Sequence, residues 1–135
     1  GGLVLAAYLP GSGALPALAR VGVVVFADLV WKSRPPRDFV SFLGVGEPYY
    51  WMRSDGEAVF SDIGLSVVHE CEASPESWES YENAVLAGRL QLADALDATD
   101  GEALRRRATT WYSMYSAFGR DCLGFDAYVA RLAEA

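Results

Sequence analysis

The run Val23-Val24-Val25-Phe26-Ala27-Asp28-Leu29-Val30 constrains this chain most, because Asp28 is its one polar residue. A half-solvated strand alternates apolar and polar side chains, whereas a strand covered on both faces reads as a continuous apolar run rich in β-branched residues. The segment at 23–30 is therefore expected to be a buried strand of a layered, mainly parallel sheet. A second apolar run at 3–8 stops at the turn residues Pro10-Gly11-Ser12-Gly13. Between the two, residues 14–21 carry Leu15, Leu18 and Ala19 at helical spacing, with Ser12 or Gly13 available as cap. Strand, helix, strand is the βαβ unit. Its second join is tight, because Arg20-Val21-Gly22-Val23 leaves almost no room for the ~2–6 residues of an αβ loop, and residues are expected to be absent there.

Downstream, Lys32-Ser33-Arg34-Pro35-Pro36 breaks regular structure and 37–43 resumes as a short helix closed by Gly44 and Gly46. Tyr49-Tyr50-Trp51 follows on a loop. Ser54-Asp55-Gly56-Glu57 matches a capping box opening a helix at 55–63 that Gly64 ends, and 65–71 alternates as a third strand. Ser74 before Pro75 starts a long helix with Trp78, Tyr81, Val85, Leu86, Leu92 and Leu96 as its apolar stripe. Thr99-Asp100-Gly101-Glu102 matches a second capping box, followed by Leu104, Ala108, Trp111, Tyr115 and Phe118 at helical spacing. The two helices are expected to pair antiparallel. Periodicity leaves 123–132 open between a glycine-bearing strand and a short amphipathic helix.

The 135 residues, 52% apolar, suffice for one core, and the expectation is a single domain over 1–135. A formal charge of −7 argues against a nucleic-acid partner, which needs clustered cations, and the basic run Arg105-Arg106-Arg107 reads as a solvated helix surface. No run approaches the ~20 apolar residues of a membrane helix. Cys71 and Cys122 have neither zinc-ligand nor disulfide-framework spacing, which fits a reducing, cytoplasmic setting and no metal. The opening Gly1-Gly2 runs directly into a strand pattern, so a segment of a longer fold is expected.

This order of elements resembles the fourth and fifth strands onward of the class I S-adenosylmethionine-dependent methyltransferases. Particularly similar are Ala17-Leu18-Ala19-Arg20-Val21 running into Gly22-Val23-Val24-Val25-Phe26-Ala27-Asp28, and Ala58-Val59-Phe60 through Gly64-Leu65-Ser66-Val67-Val68. In that family a Leu-x-Pro-Gly-Gly turn sits between such a helix and strand, and here it is reduced to Gly22. The stretch 115–132, with Gly119-Arg120-Asp121 and Leu123-Gly124-Phe125, resembles the end of a bacterial group in which a helical insertion precedes the last, antiparallel strand. The resemblance implies an α/β fold: a partial Rossmann-like sheet from the fourth strand onward, with 123–132 as a strand and 74–119 as an inserted helical substrate cap. It also implies S-adenosyl-L-methionine as cofactor, gripped mainly by a glycine-rich turn and an acidic residue expected upstream of Gly1. No G-x-G-x-x-G follows a strand in this sequence.

The activity implied is methyl transfer to a small-molecule acceptor, with this segment contributing acceptor recognition and a missing N-terminal half or second chain contributing the cofactor site. Alone, the segment is expected to be inactive. The competing reading is a non-catalytic interaction module that pairs through an exposed sheet edge. Ligands of open α/β sheets lie beyond the carboxyl ends of the strands, which points to Tyr8 and Trp31 as pocket walls. Asp28 reads either as base or substrate anchor, or as a carboxylate capping the following loop. Tyr49, Tyr50 and Trp51 read as an aromatic lid or as loop packing, Trp111 and Tyr115 as substrate contacts or helix core, and Arg120 as a substrate anchor or a cation at a helix end. His69 reads as structural or solvent-facing.

Overall fold

The computed structural model describes residues 22–134; the expectations placed on 3–8, 14–21 and the join at Val21, Tyr8 among them, lie outside the described residues. The element order is β1 (Val24–Trp31), α1 (Arg37–Leu43), α2 (Gly56–Asp62), β2 (Leu65–Glu72), α3 (Pro75–Ala95), α4 (Ala98–Met114), a π-helical turn (Tyr115–Gly119), the short helical turn α5 (Arg120–Cys122) and β3 (Leu123–Leu132). The chain divides into two compact units, one holding the sheet and one comprising Ala73–Arg120. None of the described helices is long and apolar enough to cross a membrane.

In the sheet unit the strand order is β1-β3-β2, and β3 runs antiparallel to both neighbours. The tail that periodicity left open is thus the central strand. Because side chains alternate across a strand, Val24, Phe26 and Val30 of β1 share a face with Tyr128 and Ala130 of β3. There they pack against Trp51, Phe60, Val59 and Ile63. Phe60, Val30, Tyr128 and Ala130 are fully buried, and each large apolar side chain so placed contributes roughly 1.5–3 kcal/mol. The other face differs from the expectation of a doubly covered strand: Val25 is 68% exposed. The pleat turns Val25 away from the core face, and cover on its own face is found at the far end of the strand, where Trp31 is 1% exposed.

β2 contains a bulge. Its register passes from Val67↔Ala130 to His69↔Val129, leaving Val68 over. The extra residue inverts the alternation, so that Glu70 and Glu72, instead of His69 and Cys71, fall beside Tyr128 and Asp126. It also kinks a strand whose one neighbour among the described residues is β3, and a bulge with charged residues is how sheet edges resist further pairing.

Two expected capping boxes do not form. Met52 to Asp55 closes a 3-10 turn, with the Asp55 N–H donating to the Met52 carbonyl at 2.8 Å, and the turn runs into α2 without a side-chain cap. α4 begins earlier than Thr99 predicts, because the Asp97 carboxylate accepts the N–H groups of both Thr99 and Asp100 at 3.0 Å. Ser74 does cap α3, accepting from the Ser77 N–H at 3.1 Å.

The helical unit is an antiparallel pair, as its contacts show. Asp94 meets Arg105, Glu82 meets Trp111, and Glu79 meets Tyr115 and Arg120, so one partner advances as the other retreats. Ala93, Ala108 and Tyr115 are buried, whereas Tyr81, Leu92 and Leu96 of the expected stripe are exposed. Tyr81 and Leu92 lie off the side of α3 that carries Glu79, Glu82 and Ala93 towards α4, and Leu96 is the extended residue that ends the helix.

Candidate functional site

At the carboxyl end of β1 the structure brings Trp31, Tyr49 and Tyr50 together. Trp31 is 1% exposed. Its indole N–H donates to the Glu47 carbonyl at 2.8 Å, and its backbone N–H to the Trp51 carbonyl at 2.9 Å, which ties the loop 47–52 to the strand end. Tyr50 meets the Trp31 ring edge-on at 5.2 Å between centroids, and Tyr49 meets Tyr50 edge-on at 5.0 Å. Phe39 of α1 backs Trp31 at 6.5 Å. Edge-to-face packing of this kind is favourable and stiff. The result is an aromatic wall with Tyr49 43% exposed.

Asp28 lies within electrostatic reach of this wall. Burial is the main cause that raises the Tyr50 phenol above its ordinary value, and the charges of Asp28 and Tyr49 add to it. One Asp28 oxygen accepts the Leu29 N–H at 2.8 Å. The phenol therefore stays protonated, next to apolar ring edges and within the field of Asp28.

Trp51, although adjacent to Tyr50, turns into the core. It is 8% exposed, packs 5.8–6.1 Å from the rings of Phe26, Tyr128 and Phe60, and donates its indole N–H to the Tyr128 hydroxyl at 3.3 Å. Burial pushes the Tyr128 phenol up to about 12. Trp111, Tyr115 and Arg120 lie in the helical unit and are engaged within it. The Trp111 indole donates to Glu82 at 2.8 Å, and the Tyr115 hydroxyl donates to Glu79 at 2.9 Å. Arg120 grips Glu79 through two N–H groups at 3.0 and 2.8 Å while its guanidinium lies 5.5 Å from the Tyr115 centroid. The π-helical turn explains this last contact: it hydrogen-bonds the Arg120 N–H to the Tyr115 carbonyl, five residues back, and so brings the two side chains over each other. Held by Arg120 first and then Tyr115, the Glu79 carboxyl titrates below its ordinary value.

Arg53 and Asp126 escaped the reading of the sequence. Asp126 is fully buried, and Arg53 forks onto it, Nε to Oδ2 at 2.9 Å and Nη2 to Oδ1 at 2.6 Å, with Nη1 3.3 Å from Glu72. Gly124 makes room, since a Cβ there would lie 2.5 Å from Arg53 Nη2. Glu70, Glu72 and Asp126 approach one another closely enough to hold a metal ion, but the cation placed among them is this guanidinium. The 73 residues that separate Arg53 from Asp126 hide the pair from any local pattern.

The described residues do not fit the grip that a class I methyltransferase places on its cofactor. β1 runs into Lys32-Ser33-Arg34-Pro35-Pro36 and β2 into Ala73-Ser74-Pro75, so neither strand is followed by a glycine turn through which backbone N–H groups could approach a nucleotide. The left-handed glycines Gly44 and Gly64 follow helices instead.

No family profile and no characterised relative matches the sequence. The fold does match solved structures. A SAM-dependent methyltransferase from Geobacter sulfurreducens, in complex with S-adenosyl-L-homocysteine, superposes with a TM-score of 0.74 at 21% identity over 82% of this chain and 46% of its own. A SAM-dependent methyltransferase from Thiobacillus denitrificans, with the same ligand, gives 0.74 at 19% identity over 82% and 46%. YjhP from E. coli gives 0.75 at 20% identity over 84% and 47%. The chain has part of the class I methyltransferase fold and spans about half the length of these structures.

Proposed function

We propose that this chain is the acceptor-facing part of an S-adenosylmethionine-dependent methyltransferase that acts on a small molecule in the cytoplasm. The carrying observation is the match to two methyltransferases crystallised with S-adenosyl-L-homocysteine, at a TM-score of 0.74 each. Methyl transfer from a sulfonium depends largely on placing the acceptor and excluding water, a task suited to rigid aromatic surfaces. In this reading Trp31, Tyr49 and Tyr50 form the acceptor wall, and Asp28 anchors the acceptor or takes its proton. Trp51, whose carbonyl accepts the Trp31 backbone N–H, ties the wall to β1, and Tyr8, Trp111, Tyr115 and Arg120 are further candidates for acceptor contact, the last three on the helical segment that the resemblance assigns as substrate cap. The cofactor-gripping half is supplied by residues outside this chain or by a second polypeptide. The bulged, acidic β2 edge counts against the competing reading of a module that docks by strand addition there.

The test has two arms. Calorimetric titration of S-adenosylhomocysteine into the chain alone is expected to give no saturable heat, and tight binding would refute this placement of the cofactor site. In a polypeptide uniting the chain with a cofactor-binding half, radiolabelled methyl transfer to a small-molecule panel is expected. Tyr50→Ala should then raise the acceptor KM about tenfold and leave cofactor affinity unchanged. Cofactor binding with no transfer to any acceptor, or a loss confined to cofactor affinity, would overturn the proposal.

A further inference from the structure

The loop 47–53 that carries the aromatic wall is held at four points. The Glu47 carbonyl accepts the Trp31 indole N–H, the Trp51 carbonyl accepts the Trp31 backbone N–H, the Trp51 indole N–H donates to the Tyr128 hydroxyl, and the Arg53 side chain is clamped on Asp126. The first two attachments join the loop to β1, and the last two join it to β3. The Arg53 clamp is the ionic one, and it closes on a fully buried carboxylate, Asp126, next to the buried Tyr128. An apolar pair of similar volume often stabilises such a position as well as ions do, so stability alone does not call for a fork between the partly exposed Arg53 and the buried Asp126, whereas a demand for one geometry does. The guanidinium fork imposes such a geometry, since two parallel N–H···O bonds fix both direction and distance. Gly124, opposite Val30 in the ladder, leaves the trough in which the fork lies.

We propose that Arg53 and Asp126 are positioning residues for the acceptor wall. By fixing the end of loop 47–53 against β3, they set how Tyr49 and Tyr50 stand against Trp31. The functional consequence rests on the acceptor-binding reading above; the positioning itself can be measured without it. The probes are the exchange rate of the Trp31 indole N–H and the nuclear Overhauser effects between the Trp31 and Tyr50 rings, in the chain as it is. The double variant Arg53→Met with Asp126→Leu removes the fork without orphaning a buried charge, since Glu72, which Arg53 Nη1 also meets, is 53% exposed. Its melting temperature is expected to be equal or higher, its indole exchange at least tenfold faster, and its Trp31–Tyr50 Overhauser effects abolished. Arg53→Lys keeps the charge without the fork and should accelerate exchange several-fold at a melting temperature within a few degrees of the parent. If the double variant folds with exchange within twofold of the parent and its inter-ring Overhauser effects intact, the pair is only a fold element and the proposal fails. Should that variant not fold, unchanged exchange in Arg53→Lys would overturn the proposal in the same way. Neither readout uses a methyl donor or acceptor, so failure here leaves the methyltransferase reading standing, and failure of methyl transfer leaves this inference standing.

Discussion

Two glycines of the helical unit should respond to alanine with opposite signs. Gly88 lies within α3, where an added Cβ meets nothing within 4 Å. Gly88→Ala should therefore realise the helix-propensity gain of about 0.8–1 kcal/mol. Gly101 lies in the first turn of α4, where the same gain is opposed by a collision. Its Cβ would fall 2.5 Å from the Ala93 carbonyl oxygen and 3.9 Å from Leu96 Cβ. The obstacle is backbone, so the end of α3 must move, at a cost of about 1–3 kcal/mol for an overpacked site. The same carbonyl accepts the Leu96 N–H at 3.3 Å, and crowding that bond removes a further ~0.5–1.5 kcal/mol. Subtracting the propensity gain leaves a net loss of roughly 0.5–3.5 kcal/mol. At about 4 °C per kcal/mol for a chain of this size, Gly101→Ala should melt roughly 2–14 °C lower and Gly88→Ala roughly 3–4 °C higher. Circular dichroism at 222 nm follows both transitions. Shifts of the two variants in the same direction would refute the argument that close approach at Ala93 closes the hairpin.

Glu82 is 3% exposed and accepts two indole N–H groups, from Trp78 at 3.2 Å and Trp111 at 2.8 Å. Glu82→Gln turns one acceptor into a donor and should cost about 1–3 kcal/mol, and Glu82→Leu, which orphans both indoles, should cost more; urea midpoints that do not fall in this order would contradict the clamp. Tyr115 and Tyr128 are pushed up to about 12, chiefly by burial, against about 10 in an unfolded chain. The unfolded state releases these protons first, so the stability they contribute is complete below pH ~10 and is lost as pH climbs towards 12. Absorbance at 295 nm should show them ionising last, together with unfolding, and ionisation of every tyrosine near pH 10 in a still-folded chain would be the contrary result.

The sequence made some of these features legible and hid others for identifiable reasons. The continuous run at 23–30 located β1 to within one residue, and Ser74-Pro75 located the start of α3, because both signals are complete within a few neighbouring residues. The two capping boxes were misread for the same locality. Ser54 and Thr99 have the right spacing to a glutamate, but a 3-10 turn and Asp97 take the backbone N–H groups first. β3 needed the resemblance to known methyltransferases, since Leu123-Gly124-Phe125 weakens its strand pattern and its burial is set by two partners far away in sequence. The same distance hid Arg53 with Asp126, which meet only where the loop 47–53 folds against β3. Tyr49, Tyr50 and Trp51 read as one cluster in the sequence, yet Trp51 packs with Phe26, Phe60 and Tyr128 while Tyr50 packs with Trp31 and Tyr49.

The latest strand of the described chain occupies the middle of its sheet. On the ribosome, β1 and β2 are therefore made long before the element that joins them, and the edge of each that β3 will take must wait while the helical hairpin is being synthesised. Nascent chains halted before Leu123 should be kept from precipitating by a holdase, and those extended past Leu132 should be released from it. A premature stop that removes 123–132 takes away both ladders together, so its damage should spread to the whole sheet.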